Sequence, residues 1–255
     1  MNERQQKIQA IINDDGEVKL SKLEQLFPDI STMTLRRDLE KLETIGEIVR
    51  TRSGAKSIAY LSRLHEAQYS ERESENIAEK DFIARTAYQY VKQGSSIFLD
   101  AGTTITGLSR LLANDNNKLF TITTAPNIAL ECAKNQNNTV FMTGGQLSTG
   151  NLSLSGVNAL SFLDHINIDV AFMAASGFTF NNGFTCGNFD ECQIKKRVIS
   201  KTAKSIMLMD SSKIGKNLPF TFADPADIDL LITDEKLTQE DSKSFQKFSI
   251  LVKNQ

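Results

Sequence analysis

The chain has little from which to build cross-links or metal sites. Of its 255 residues only three are cysteine (Cys132, Cys186, Cys192) and two are histidine (His65, His165). No two cysteines form a C-x-x-C pair and one is always left over, which argues against a disulfide framework and for a reducing compartment. Cys186 and Cys192 read as incidental rather than redox-active. The histidines are far apart in sequence, so a histidine metal centre or a Cys–His nucleophile pair is not expected, nor is any cofactor. No apolar run reaches the length of a membrane span, and the opening MNERQQKIQA is charged where a signal peptide would be apolar. These absences point to a cytoplasmic protein with no membrane partner. Excess charge is missing too: 29 Lys and Arg against 31 Asp and Glu leave a formal net charge of −2. The sum announces no nucleic-acid binding, so any such role must rest on where the charges lie. Internal repeats and low-complexity segments are likewise absent.

What is present is ample core material, 40% hydrophobic residues in a chain long enough for more than one domain. Residues 3–14 place Ile8, Ile11 and Ile12 at helical spacing. A second helix is expected from about Lys19, with Leu20, Leu23, Leu26 and Phe27 as its stripe, broken by Pro28-Asp29. Ser31 is a good N-cap for a third helix carrying Leu35, Leu39 and Leu42, which Gly46 ends. EIVRTRSGAKSIAY then reads as a β-hairpin. Three helices and a hairpin in some 60 residues describe a winged helix-turn-helix, with the helix-turn-helix at about 19–45 and the wing at 47–60. Residues 61–80 are charged and poor in core residues and read as a linker, helical in its second half.

In a helix-turn-helix the second helix enters the major groove by its N-terminal residues. With Leu35, Leu39 and Leu42 buried, Met33 and Arg37 point away from the core, Thr34 and Arg36 flank them, and Ser31 and Thr32 sit at the tip. Arginine there can bridge guanine O6 and N7 or clamp a phosphate. Arg50 and Arg52 precede the turn of the wing, placed for the DNA backbone or minor groove. RRDLEKLE alone also fits a solvated amphipathic helix laced with ion pairs. Residues 1–60 balance at ten basic and ten acidic, yet the four arginines cluster at the ends expected to face DNA.

From Asp81 to the C-terminus the pattern changes. The runs 96–100, 119–124, 139–144, 168–176, 205–210 and 228–233 are short and mostly apolar, and helical patterns separate most of them. Such alternation predicts an α/β domain over 81–255 with a mainly parallel sheet. In FLDAGTTI a strand ends at Asp100, and Gly102, Thr103 and Thr104 turn into a helix whose free N–H groups suit an anion. An ordinary capped turn fits the same residues. Thr123-Thr124, Gly144-Gly145, Ser176 and Asp210-Ser211-Ser212-Lys213 end neighbouring runs, and ligands of open α/β sheets bind at carboxyl strand ends. Lys213 is the natural counter-charge to a phosphate; the glycine pairs also fit plain turns. Lys195, Lys196 and Arg197 read as a solvated helix face or a contact between subunits rather than a second nucleic-acid patch.

STMTLRRDLEKLETIGEIVRTRSGA resembles the signature of the DeoR family of bacterial transcription regulators. Ser31, Thr34, Arg36, Arg37, Asp38, Leu39, Leu42, Glu43, Gly46, Arg50, Gly54 and Ala55 fall on that signature. Ser53 stands where the family usually has its first wing glycine. FLDAGTT, TGG, GFT, DSSK and DIDLLITD follow in the family's order over nearly the whole chain. The resemblance implies a C-terminal domain similar in fold to ribose-5-phosphate isomerase and glucosamine-6-phosphate deaminase that senses a phosphorylated sugar. It implies a repressor of a carbohydrate operon, bound to double-stranded operator DNA, and no enzyme. Helix-turn-helix proteins usually read paired half-sites, so a homo-oligomer, a dimer or tetramer, is expected. Thr123-Thr124 replaces the family's frequent Thr-Asn, and Ala174-Ala175-Ser176-Gly177 its Gly-Ala-Ser-Gly.

The alternative is a sugar-phosphate isomerase or deaminase with an appended helical domain. Those enzymes need a positioned general base, and ribose-5-phosphate isomerases carry an Asp-Gly-Ala-Asp-Glu cluster near the equivalent strand. IDVAFMAASG offers only Asp169, at the strand's start. Asp100 and Asp210 are the bases that would remain.

Overall fold

The computed structural model describes residues 1–51, 53–57, 67–247 and 251–254. The chain divides into two compact units, Met1–His65 and Glu66–Gln255.

In the first unit α1 (Glu3–Asp15) opens with a capping box: Asn2 Oδ1 accepts from Gln5 N–H at 2.9 Å, and Gln5 Oε1 from Asn2 N–H at 3.0 Å. A three-residue strand, β1 (Glu17–Lys19), follows, then α2 (Leu20–Leu26), α3 (Thr32–Thr44), β2 (Ile48–Thr51) and β3 (Gly54–Ser57). Ile8, Ile12, Leu23, Leu35 and Leu42 are fully buried together. The α3 ending is a Schellman turn: Glu47 N–H reaches Leu42 O and Gly46 N–H reaches Glu43 O, with Gly46 at φ +79. Strands β2, β3 and β1 form one antiparallel sheet with β3 in the middle. Gly54 lets β1 and β3 approach closely, because a Cβ there would lie 1.9 Å from Val18 O. The sequence suggests a two-stranded wing; β1 is a third strand, too short for its period to show. Arg52 and residues 58–60 of the expected wing lie outside the described residues.

The second unit is built on a seven-stranded parallel sheet. It holds β4 (Ser96–Leu99), β5 (Phe120–Thr123), β6 (Thr139–Met142), β9 (Ile168–Ala174), β12 (Thr202–Leu208), β14 (Leu230–Ile232) and β15 (Leu251–Lys253). All six apolar runs are in it, and β15 is an unforeseen addition. The order is β15-β14-β12-β9-β4-β5-β6, so β4 and β9 flank the point where the winding reverses. Apolar clusters line both faces, one around Phe98, Phe172's neighbour Met173 and Phe178, the other around Ile97, Leu99 and Phe172. Helices α4 (Tyr69–Ser74), α5 (Ile77–Tyr88), α6 (Thr103–Ala113), α7 (Pro126–Cys132), α8 (Val157–Asp164), α9 (Phe189–Lys201) and α10 (Gln239–Lys247) accompany the strands. Two antiparallel pieces complete it: a hairpin, β7 (Gln146–Ser148) with β8 (Ser153–Ser155), and a small sheet of β10 (Gly177–Thr179), β11 (Gly183–Cys186) and β13 (Phe220–Ala223).

Residues 67–80, read from sequence as part of a connector, fold into this unit. Tyr69 is buried and its hydroxyl lies 2.8 Å from Thr106 Oγ1, while Lys80 is buried and donates to the α4 carbonyls of Arg72 and, at 2.6 Å, to Glu75 O. A charged composition hid this because the buried charge caps backbone carbonyls rather than facing water. The three cysteines are all buried and free, and burial pushes the Cys132 thiol up to about 12. Among the described residues no helix is long and apolar enough to cross a membrane.

Candidate nucleic-acid interface and strand-end crevice

Ser31 caps α3: its Oγ accepts from Thr34 N–H at 3.3 Å and lies 2.9 Å from Thr34 Oγ1. Thr32 Oγ1 donates to Glu24 Oε1 at 2.6 Å, tying the helix tip to α2. Leu35, Asp38, Leu39 and Leu42 face inward, which leaves Met33 63% exposed and Arg36 and Arg37 in solvent. Neither guanidinium has a hydrogen bond or ion pair among the described residues. Two unengaged arginines on the outer face of a capped helix can meet a groove without first breaking a contact. Arg50 differs. Its Nε donates to Glu43 Oε2 at 2.7 Å and its N–H to Oε1 at 3.0 Å, so the wing is fastened to α3.

Asp38 holds the helix from behind. It accepts from Arg4 Nε at 2.6 Å and from Gln5 Nε2 at 2.8 Å, clamping α3 to α1. Burial alone would raise its carboxyl, but the two hydrogen bonds and the Arg4 charge outweigh this and keep it below the usual carboxylate range.

In the second unit the parallel topology brings the polar strand ends to one border. Gly102-Thr103-Thr104 follow β4, Thr123-Thr124 end β5, Gly144-Gly145 follow β6, Ser176 follows β9 and Lys213 follows β12. Gly102 is the N-cap of α6 and no side chain caps that helix. Its first N–H groups therefore face the crevice, and the dipole there favours an anion. The missing Cβ of Gly102 makes room for Ala174, whose own Cβ would lie 3.0 Å away.

Several expected ligand residues are already engaged. Asp100 is 1% exposed; its Oδ1 accepts from Ala101 N–H and its Oδ2 from Ala174 N–H, each at 2.9 Å, and from the Lys195 ammonium. It joins β4 to β9 and is not available to a ligand. Thr123 is fully buried, donating to Leu99 O at 2.7 Å and accepting from Ala125 N–H at 3.0 Å. Thr124 is buried too, and its carbonyl accepts from Leu154 N–H at 2.7 Å. Gly144 and Gly145 have positive φ, and a Cβ on Gly145 would lie 2.3 Å from Ser155 O, so this pair serves the turn into β7. Ser176 is partly exposed, its N–H on Thr185 O at 3.1 Å. Thr103 is partly exposed and Thr104 is buried at the α6 start.

Lys213 is left with its ammonium unpaired by hydrogen bond or ion pair among the described residues. Burial pulls it below the ordinary lysine value; Asp210 opposes this, and Lys216 and Arg72 add to it. Lys80 is lowered likewise, by burial and by the Lys213 charge. The Lys213 charge lowers Lys80, so an anion placed near these buried cations would favour the charged form of both. Sequence reading misses Arg72, Asn76 and Lys80, which come from the supposed connector. Asn76 adopts φ 49, and its Nδ2 lies 3.2 Å from both Asp210 Oδ1 and Ser212 Oγ. A non-glycine residue in that conformation beside a strand end is the signal, and it is visible only in the structure.

Lys195 is no solvated helix residue. It is fully buried between Asp100 and Glu191, with Nζ donating to Ala174 O at 2.9 Å. Glu191 in turn accepts from Asn151. Burial would lower the ammonium, but the two carboxylates hold it well above its usual value. Arg197 does lie outward, paired with Asp164. The two candidate bases of an enzyme are thus engaged: Asp100 as described, and Asp210 as cap of the turn Ser211–Lys213 through Ser212 N–H at 3.1 Å. Asp169 accepts from Ser96 at the opposite end of the sheet.

A winged helix-turn-helix followed by a parallel α/β unit is the architecture of a one-chain DNA-binding regulator. The family model for the DeoR-like helix-turn-helix domain matches residues 4–60, and that for the DeoR C terminal sensor domain matches 75–235. The chain belongs to the DeoR family of transcription regulators. It is 35% identical over 250 residues to the uncharacterized HTH-type transcriptional regulator YulB of Bacillus subtilis, covering 98% of this chain and 95% of that one. It is 32% identical over 251 residues to the lactose phosphotransferase system repressor of Streptococcus mutans, covering 97% and 96%. A ribose-5-phosphate isomerase A from Methanocaldococcus jannaschii aligns over 56% of each chain with 21% identity and a TM-score of 0.41. The curated relatives are named as regulators and repressors, and the isomerase or deaminase alternative is not favoured.

Proposed function

We propose that the protein represses a carbohydrate-metabolism operon in the cytoplasm and that a phosphorylated sugar, bound in the strand-end crevice, controls it. Copies of the chain pair on operator half-sites, and Ser31, Thr32, Met33, Thr34, Arg36 and Arg37 meet the major groove, with the wing on the backbone. The phosphate lies at Gly102, Thr103 and the α6 N-terminus, with Lys213 as counter-charge and Ser176 at the rim. The observation that carries the reading is the half-buried, unpaired ammonium of Lys213 on the strand end beyond the β4–β9 crossover. A relative named for the repression of a lactose phosphotransferase system supports the sugar class.

Titration calorimetry with a panel of sugars and their phosphates tests it. The phosphate should bind and the free sugar should not. Lys213→Ala should cost about 1–3 kcal/mol of that affinity while leaving operator binding without ligand intact. Equal affinity for sugar and phosphate, or full affinity in Lys213→Ala, would place the anion elsewhere.

A further inference from the structure

From Asn135 to Leu163 the chain carries no Asp, Glu, Lys, Arg or His, although 24% of its residues are Asp, Glu, Lys or Arg. At that frequency 29 consecutive positions would hold about seven charges. The fold gathers this run along one border of the second unit, as β6, the β7–β8 hairpin and α8. There β6 is the last strand of the parallel sheet, paired only with β5 among the described residues. Where the border meets solvent, large apolar side chains stand among uncharged polar ones. Phe141, Met142 and Leu147 are 43%, 49% and 46% exposed, and Val157 is 81% exposed. Phe120, opposite the start of β6 on β5, adds a further exposed ring.

Edge strands are ordinarily guarded against pairing by charge or proline, and this one has neither. We infer that residues 135–163 form the two-fold contact through which two copies of this chain associate. The charge pattern selects the occupant. Across a two-fold axis each residue meets its own surroundings, so a charge near the axis would face its like. A border without charge avoids that repulsion and the cost of stripping water from ions. A different protein would impose no such rule and would more naturally be met by complementary charge. This locates the pairing of copies proposed above, and its test uses neither DNA nor ligand, so the two readings fail separately.

Sedimentation equilibrium of the full chain decides it. The wild-type protein should dimerise at micromolar concentration. Val157→Glu and Phe141→Lys should each raise the dimer dissociation constant on the order of 100-fold or more, because every substitution enters the interface twice. Val157 is too exposed for its replacement to disturb the core, and unchanged circular dichroism and melting would show that both variants remain folded. Phe189→Lys, an exposed aromatic outside the run, should leave the dimer unchanged. A monomeric wild-type protein, a dimer unaffected by both substitutions, or equal dissociation by Phe189→Lys would overturn the inference.

Discussion

The ammonium of Lys195 rests on the carboxylate of Asp100 with both side chains 2% exposed, although 95 positions separate them. The pair stitches α9 to the crossover of the sheet, since Asp100 also takes the backbone N–H groups of Ala101 and Ala174. Removing one partner leaves the other charge buried. Lys195→Met should therefore destabilise the second unit by about 3–5 kcal/mol, read as a lower urea midpoint. Adding Asp100→Asn to that variant should recover part of the loss, because the orphaned carboxylate is then gone. An unchanged midpoint in Lys195→Met would show the pair to be dispensable.

Arg36 and Arg37 should govern sequence preference, and the wing should govern salt sensitivity. Arg37→Ala is expected to cost about 1–3 kcal/mol at the specific operator and to relax base preference. Arg50→Ala should weaken binding to all sequences and flatten the slope of log affinity against log salt. Fluorescence anisotropy with the promoter of the protein's own operon separates these outcomes. Full affinity in the Arg36/Arg37 double variant would remove α3 as the reading helix.

Asp38 gives the first unit an acid limit. Its carboxyl is held below the usual range in the fold, so the stabilisation is complete above the ordinary carboxylate value near pH 4. It is lost as pH falls through the lower, folded value. Asp38→Asn should thus be destabilising at neutral pH and progressively less different from wild type below about pH 4. Circular dichroism of chemical unfolding at several pH values measures this, and a pH-independent difference would refute it.

Gly54→Ala should break the wing rather than the helices. The new Cβ would press on Val18 O, which cannot move without parting β1 from β3, at a cost of about 1–3 kcal/mol. The first unit should melt earlier while the second is unchanged. Hydrogen exchange should locate the new lability at Val18 and Ala55.

Most of the parallel strands are legible because burial on both faces demands apolar residues at nearly every position, as in SIFL and SIML; the edge strand β6 is legible because it is apolar although exposed. The reading helix is legible for a different reason: Ser31, the leucine spacing and Gly46 are each local signals. The crevice is legible only in part. Which residue ends a strand can be read from composition, but whether its side chain is already taken depends on partners far along the chain. Asp100 and Thr123 look like ligand groups until Ala174, Lys195 and Leu99 are seen to occupy them. Lys195 hides in a KKR run, and Lys80 and Asn76 hide in a stretch whose charge resembles that of a solvated connector. β1 is illegible because three residues with one apolar side chain carry no period.

Tyr69 and Lys80 fix where the sensor can be cut for protein engineering. A chimera joined at or after Lys80 would carry the whole sheet yet drop the tyrosine that meets Thr106 and the short helix whose carbonyls receive that lysine. The transplanted piece would then present a wound beside the crevice, with Thr106 and Asn127 short of a partner they share in the intact chain. A junction ahead of Tyr69 carries both across, so interchangeable DNA readers belong on that side of the seam.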